Sequence, residues 1–275
     1  MNNQGDGLVL PYLTLFRIQL LALLQYRAAA LAKLAPPLFV GTVQVMFFTA
    51  FYQGRSAGLP MSLPQTITYC WIIQLLVAIQ PWSGDPEVLR VIRTGQIAYE
   101  LCRPLDLYTH WFSRMAARRL VPLATSSVPL ALVAAFLLPE QYRLGPPASA
   151  GAAVAFVAAL GGAALMSSAL SNTLGIITVW TISGEGIYFL APVIFMVLSG
   201  AAVPLPLFPP AFQGLIQLLP FRGLLDTPAQ VYLGLVAPGQ VAMVVGTQLL
   251  WTAGFVVLGR MMLARALRSA TIQGG

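Results

Sequence analysis

Charge is scarce in this sequence. Of 275 residues only 8% are Asp, Glu, Lys or Arg, where a soluble domain carries roughly a quarter. Histidine occurs once, at His110, which excludes a zinc site of the His-x-x-x-His kind. The two cysteines sit in unlike surroundings, Cys70 in an apolar stretch and Cys102 in a charged one. They are expected not to meet in a disulfide and to be structural. A Walker phosphate loop is also missing. These absences argue against an enzyme, so no catalytic, metal-binding or cofactor-binding residue is assigned to this chain.

Apolar residues are what the chain has in quantity. They make up 58% of it, more surface than one soluble core of this length can hide. The composition is that of an all-α integral membrane protein, with 1–275 as a single membrane domain. The opening MNNQGDGLVLPYLTLFRIQLL has neither the basic start nor the small-residue cleavage site of a signal peptide. It is expected to stay on the chain.

The gaps between charges locate the expected spans. A helix needs about 20 apolar residues to cross the hydrocarbon, where its backbone must satisfy itself. Six segments qualify: 34–54, 63–82, 120–139, 149–170, 178–200 and 240–259. The uncharged window 144–184 is too long for one crossing, so a break is expected at Ser171-Asn172-Thr173.

Basic residues orient the spans, because cytoplasmic loops retain Lys and Arg. With both ends inside, the cytoplasm holds Arg17, Arg27, Lys33, Arg90, Arg93, Arg103, Arg114, Arg118, Arg119, Arg260, Arg265 and Arg268. Only Arg55, Arg143 and Arg222 fall outside. The net charge of +7 therefore reports topology, not nucleic-acid binding.

Two segments depart from plain spans. Residues 12–33 are Leu- and Ala-rich but interrupted by Arg17, Gln19, Gln25 and Arg27. They read as an interfacial helix on the cytoplasmic leaflet, within a cytoplasmic 1–33 region; a seventh span is the competing reading. Residues 201–238 hold too many prolines for one helix and too few polar groups for a solvated loop. Short re-entrant helices buried against the spans satisfy both conditions.

Glu185, in WTISGEGIYFL, is the one acid expected inside a span. Intramembrane carboxylates mark pathways or helix partners. Gating or helix pairing stands beside a plain interfacial carboxylate as its role. Glycines and alanines of the fourth and sixth spans suit close helix packing, within one chain or between two.

The cytoplasmic loop 84–119 concentrates charge, and Gly95-Gln96 followed by IAYEL and Pro104 marks a short bounded helix. Ile97, Ala98 and Leu101 give it an apolar side beside Tyr99, with Glu100 and Arg103 as flanking charges. Such a helix suits docking to another protein or resting on the membrane surface.

The patterns TGQIAYELCRPLDLY and SGAAVPLPLFPPAFQGLIQLLPFRGLLDTPAQVYLG resemble those of ABC-2-type exporter permeases, and the likeness covers essentially the whole chain. Both patterns look like the subfamily of small bacterial permeases served by a separate ATPase. The resemblance implies six spans, an N-terminal elbow helix and outer re-entrant helices in the manner of type V exporters. It places an ATPase-coupling helix at Gly95, Ile97, Ala98, Tyr99, Glu100, Leu101, Arg103 and Pro104. It further implies an ABC ATPase dimer that carries ATP and Mg, a second permease chain (identical or homologous), and residence in the bacterial cytoplasmic membrane with both termini inside. A self-sufficient secondary transporter is the alternative, although no internal repeat supports it.

Overall fold

The structure is a computed structural model. It describes residues 34–54, 58–81, 90, 96, 99–100, 102, 106–180 and 185–269. No strand occurs among the described residues, and helices account for most of them.

Helix α1, Ala35–Gly54, opens on Pro36 and Pro37, at positions where a missing N–H costs nothing because the first turn has no internal acceptor for it. Helix α2, Leu63–Leu76, starts with a capping box: Ser62 and Gln65 satisfy each other's backbone N–H groups. It tightens into a 3₁₀ turn over Val77–Ile79 before Gln80 becomes extended. Helix α3 runs Leu107–Leu137 and is capped by Asp106. Its turns widen to π geometry over Leu123–Ser127, just before Pro129, which has no N–H to offer the Thr125 carbonyl.

Helix α4, Ala150–Trp180, is about 46 Å long at 1.5 Å per residue. Helix α5 is Glu185–Leu198 and contains Pro192. A chain of short pieces follows, namely a 3₁₀ turn Leu205–Leu207, helix α6 Pro210–Leu218, a 3₁₀ turn Pro220–Gly223 and helix α7 Asp226–Tyr232. Each begins at or near a proline, as expected where φ is preset for a first turn. Helix α8, Val241–Ser269, completes the fold.

Four of these segments are long and apolar enough to cross a membrane: Ala35–Gly54, Leu107–Leu137, Ala150–Ile177 and Pro238–Arg268. The second and fifth expected spans correspond to the shorter apolar helices Leu63–Ile79 and Phe189–Leu198.

Three boundaries differ from expectation. The break at Ser171-Asn172-Thr173 does not occur, because α4 runs through it. Thr173 returns its hydroxyl to the Ala169 carbonyl, while Ser171 accepts from Arg119 and Asn172 donates to the Tyr108 carbonyl of α3, so the polar groups find partners without interrupting the helix. The third helix starts thirteen residues before 120, inside the expected 84–119 loop. The last one continues past 259 through Arg260, Arg265 and Arg268. In both, charge marks the end of the apolar window and not the end of the helix.

Helix α4 is the centre of the bundle, packing against α8, α3 and α7. Its Ala159, Ala163, Ala164, Met166 and Ile176 are buried, and small side chains let the neighbours approach. Gly162 faces Gln248 and Gly259 faces Tyr108 so closely that a Cβ at either would collide. The expected elbow at 12–33 lies outside the described residues.

Candidate functional site

Two polar clusters stand out, one at each end of α4. At the end where α3 begins, Asp106 accepts hydrogen bonds from the Thr109 amide at 2.9 Å and from the Thr109 hydroxyl. These bonds, with Arg260 nearby, hold its carboxyl below the usual range. Arg260 reaches back from α8, its Nη2 3.3 Å from Asp106 Oδ2 and 3.0 Å from Thr109 Oγ1. Its guanidinium lies 5.5 Å from the centre of the Tyr108 ring. The start of α3 therefore sits beside Arg260 of α8; the other arginines of the two helices fall in the first half of α3 (Arg114, Arg118, Arg119) and the last third of α8 (Arg265, Arg268).

Beneath them Leu107, Tyr108, Trp111, Ile176 and Leu263 form an apolar cluster. Trp111 is fully buried, and its indole N–H donates to Glu100 Oε2 at 2.7 Å. Glu100 is thus anchored to the bundle. Tyr99 beside it is 78% exposed. Gly95, Ile97, Ala98, Leu101, Arg103 and Pro104 lie outside the described residues. The second expected site residue, Glu185, is the first residue of α5; its side chain also lies outside them.

A seam of hydroxyls and amides continues along α4 toward the other end. Ser171 accepts from Arg119 Nη2 at 2.8 Å. The Thr173 hydroxyl is within 3.1 Å of the Phe255 carbonyl, and Ser167 donates to the carbonyl of Ile79. Such bonds tie the helices together where apolar side chains gain little from leaving lipid.

The second cluster centres on Asp226, which sequence reasoning did not single out. It is buried at 1% exposure. Tyr69 of α2 donates to its Oδ1 at 2.9 Å and Gln230 to its Oδ2 at 2.6 Å. Arg222 Nε is 4.0 Å away. Burial pushes the Asp226 carboxyl up to about 6, against the opposing pull of Gln230, Arg222 and Tyr69. Gly200, with φ of +85°, brings the end of α5 against Tyr69, where a Cβ would clash with the phenol oxygen. The available signal was the Arg222-x-x-x-Asp226 spacing, a charge pair in an otherwise apolar stretch.

Two further amides brace this end. Gln248 of α8 donates to the carbonyls of Ala159 at 3.1 Å and Gly223 at 2.8 Å. Gln44 donates to Ala201 at 2.8 Å and accepts from Gln74 at 2.9 Å. Beside them open two cavities. One of about 480 Å³ is walled by Arg222, Gln217, Gln240, Thr247 and Gln248. The other, about 430 Å³, is lined by Leu190, Ile194, Phe221 and Phe255. They share Leu219, Pro220 and Trp251.

Neither cluster has the makings of a catalytic centre. Among the described residues no three His, Cys, Asp or Glu side chains gather to hold a metal. The letters Gly-x-Ser-x-Gly do occur at 54–58. A nucleophile elbow needs a strand leading in, and there α1 leads in instead.

Long apolar helices and polar seams between them define a multi-pass membrane protein. The profile of the family described as ABC-2 family transporter protein matches residues 38–274, and the chain belongs to that family. It is a membrane permease component of an ABC transporter and not itself the catalytic part. Membership in this family displaces the self-sufficient secondary transporter. No curated protein and no solved structure matches the chain.

Proposed function

We propose that this chain is the transmembrane subunit of an ATP-driven exporter, sharing its substrate path with a second permease chain and driven by a separate ATPase dimer that holds ATP and Mg. In this reading it crosses the bacterial inner membrane six times. The long helices α1, α3, α4 and α8 and the shorter α2 and α5 each make one crossing, and both termini are cytoplasmic. The arginines in the first half of α3 and the last third of α8 support that orientation.

The observation that carries the proposal is the Glu100–Trp111 hydrogen bond with Tyr99 exposed beside it. A contact that transmits motion needs one side fixed in the bundle and another free for the partner. Glu100 supplies the first and Tyr99 the second, and residues 95–104 form the coupling helix between them. Aromatic anchors flanked by charge give such contacts both affinity and register. Glu185, at the start of α5, pairs helices or gates the path.

Replacing Tyr99 and Leu101 with aspartate tests the assignment. The variant is expected to insert normally but to lose co-purification of the ATPase and substrate-stimulated hydrolysis. A variant that still binds its ATPase and exports normally refutes it.

A further inference from the structure

The two cavities beside the Leu219-Pro220 turn differ in chemistry and share a wall. The first is lined by Arg222 together with Gln217, Gln240 and Thr247. The second is walled by apolar side chains of α4, α5 and α8 and by the turn itself. Leu219, Pro220 and Trp251 line both. Each has the size of an ordinary small-ligand pocket.

Arg222 decides what kind of head group fits. Its only close acidic neighbour among the described residues is Asp226, at the 4.0 Å limit of an ion pair and approached through Nε. Asp226 already accepts from Tyr69 and Gln230. The two terminal nitrogens of Arg222 have no hydrogen-bond partner among the described residues. Such a fork is suited to two oxygens of a phosphate. Leu190 and Ile194 are 59% and 46% exposed along the adjoining groove, so the apolar compartment is open on the flank of the helices that meets hydrocarbon.

We infer that these cavities form one binding site for an anionic phospholipid, with its phosphate on Arg222 and an acyl chain along α5 and α8. A charged polar compartment joined to a dry apolar one matches an amphiphile and neither a free ion nor a plain hydrocarbon. Trp251, at the junction, suits the boundary between head and chain, where indole rings settle. The site is contained in one chain, so it stands or falls apart from the exporter reading.

Native mass spectrometry of the purified, delipidated full chain tests it, with phosphatidylglycerol and phosphatidylcholine of identical acyl chains as probes. One phosphatidylglycerol should bind per chain, roughly tenfold more tightly than phosphatidylcholine, the discrimination expected of one charge-assisted contact. Arg222→Gln should erase that preference, and Arg222→Lys should keep most of it. Ile194→Trp, which fills the apolar compartment, should weaken both lipids.

Equal binding of the two lipids by the wild type, or a preference that survives Arg222→Gln, overturns the site. So does tight binding of oleate without phosphatidylglycerol, which would assign the cavities to a single-chain carboxylate. Should Arg222→Gln not yield folded protein, Ile194→Trp decides, and undiminished phosphatidylglycerol binding by that variant overturns the proposal.

Discussion

Tyr69→Phe deletes a single oxygen and isolates the Asp226 cluster. The hydroxyl lost is the donor to Asp226 Oδ1 at 2.9 Å, between side chains each 1% exposed, so no water replaces it. A hydrogen bond to a buried charged group contributes about 1.5–3 kcal/mol. For a chain of this size 1 kcal/mol moves the melting temperature by about 2–4 °C, so a fall of roughly 3–12 °C is expected. The protein carries its own reporter. Cys70, next to Tyr69 on α2, is buried, whereas Cys102 is exposed. In a Cys102→Ser background a thiol-reactive dye therefore lights up only as the bundle opens, and the melt is read from Cys70 alone. Phenylalanine preserves the packing of the ring, so a loss of stability reports the hydrogen bond and not a cavity. A melting temperature within 1 °C of wild type refutes the assignment of Asp226 as a bracing carboxylate.

Other outcomes follow from the same geometry. Burial raises the Asp226 carboxyl to about 6, so at neutral pH it is still mainly ionised but binds a proton more readily in the folded state than in the unfolded one. Its contribution is full below the ordinary carboxylate range near 4 and is lost as pH rises through about 6. Asp226→Asn should flatten that part of the stability profile between pH 4 and pH 7.5, and an unchanged slope refutes it. A cysteine at Gly239, where a side chain meets nothing, should react with impermeant reagents from outside, while Cys102 should react only after permeabilisation; the reverse pattern overturns the orientation. Trp111→Phe, which frees Glu100, should lower substrate-stimulated ATP hydrolysis several-fold without preventing assembly, as measured on the purified complex. Glu185→Gln should reduce transport while the complex still assembles if the carboxylate pairs helices, whereas wild-type export marks it as interfacial.

What could be read in advance was what apolar periodicity and chain punctuation encode. The apolar windows found α1, and the prolines of 201–238 found the string of short helices from Leu205 to Tyr232. Charge misled at helix ends: Arg114, Arg118 and Arg119 lie inside α3, because an arginine ends an apolar window without ending a helix. Polarity misled at 171–173 for a related reason, since Thr173 bonds back along its own helix and Ser171 and Asn172 find partners on α3, which composition does not reveal. Asp226 was hidden differently. Its partner Tyr69 is 157 positions away, and only the folded bundle brings the phenol to the carboxylate.

Helix α4 touches both clusters without interruption. Its Ala159 carbonyl receives Gln248 on one half, and its Ser171 receives Arg119 on the other. Twelve residues separate the two attachment points, about 18 Å along the axis. An uninterrupted α-helix resists shortening over that length, so it behaves as a push-rod. Motion imposed at Ser171 has to emerge at Ala159 as translation or tilt of the whole rod, and the two ends cannot be adjusted separately. Energetic effects at sites so far apart normally add. Arg119→Gln and Gln248→Ala, combined, should instead depart from additivity in transport rate, with α4 as the mechanical link between them.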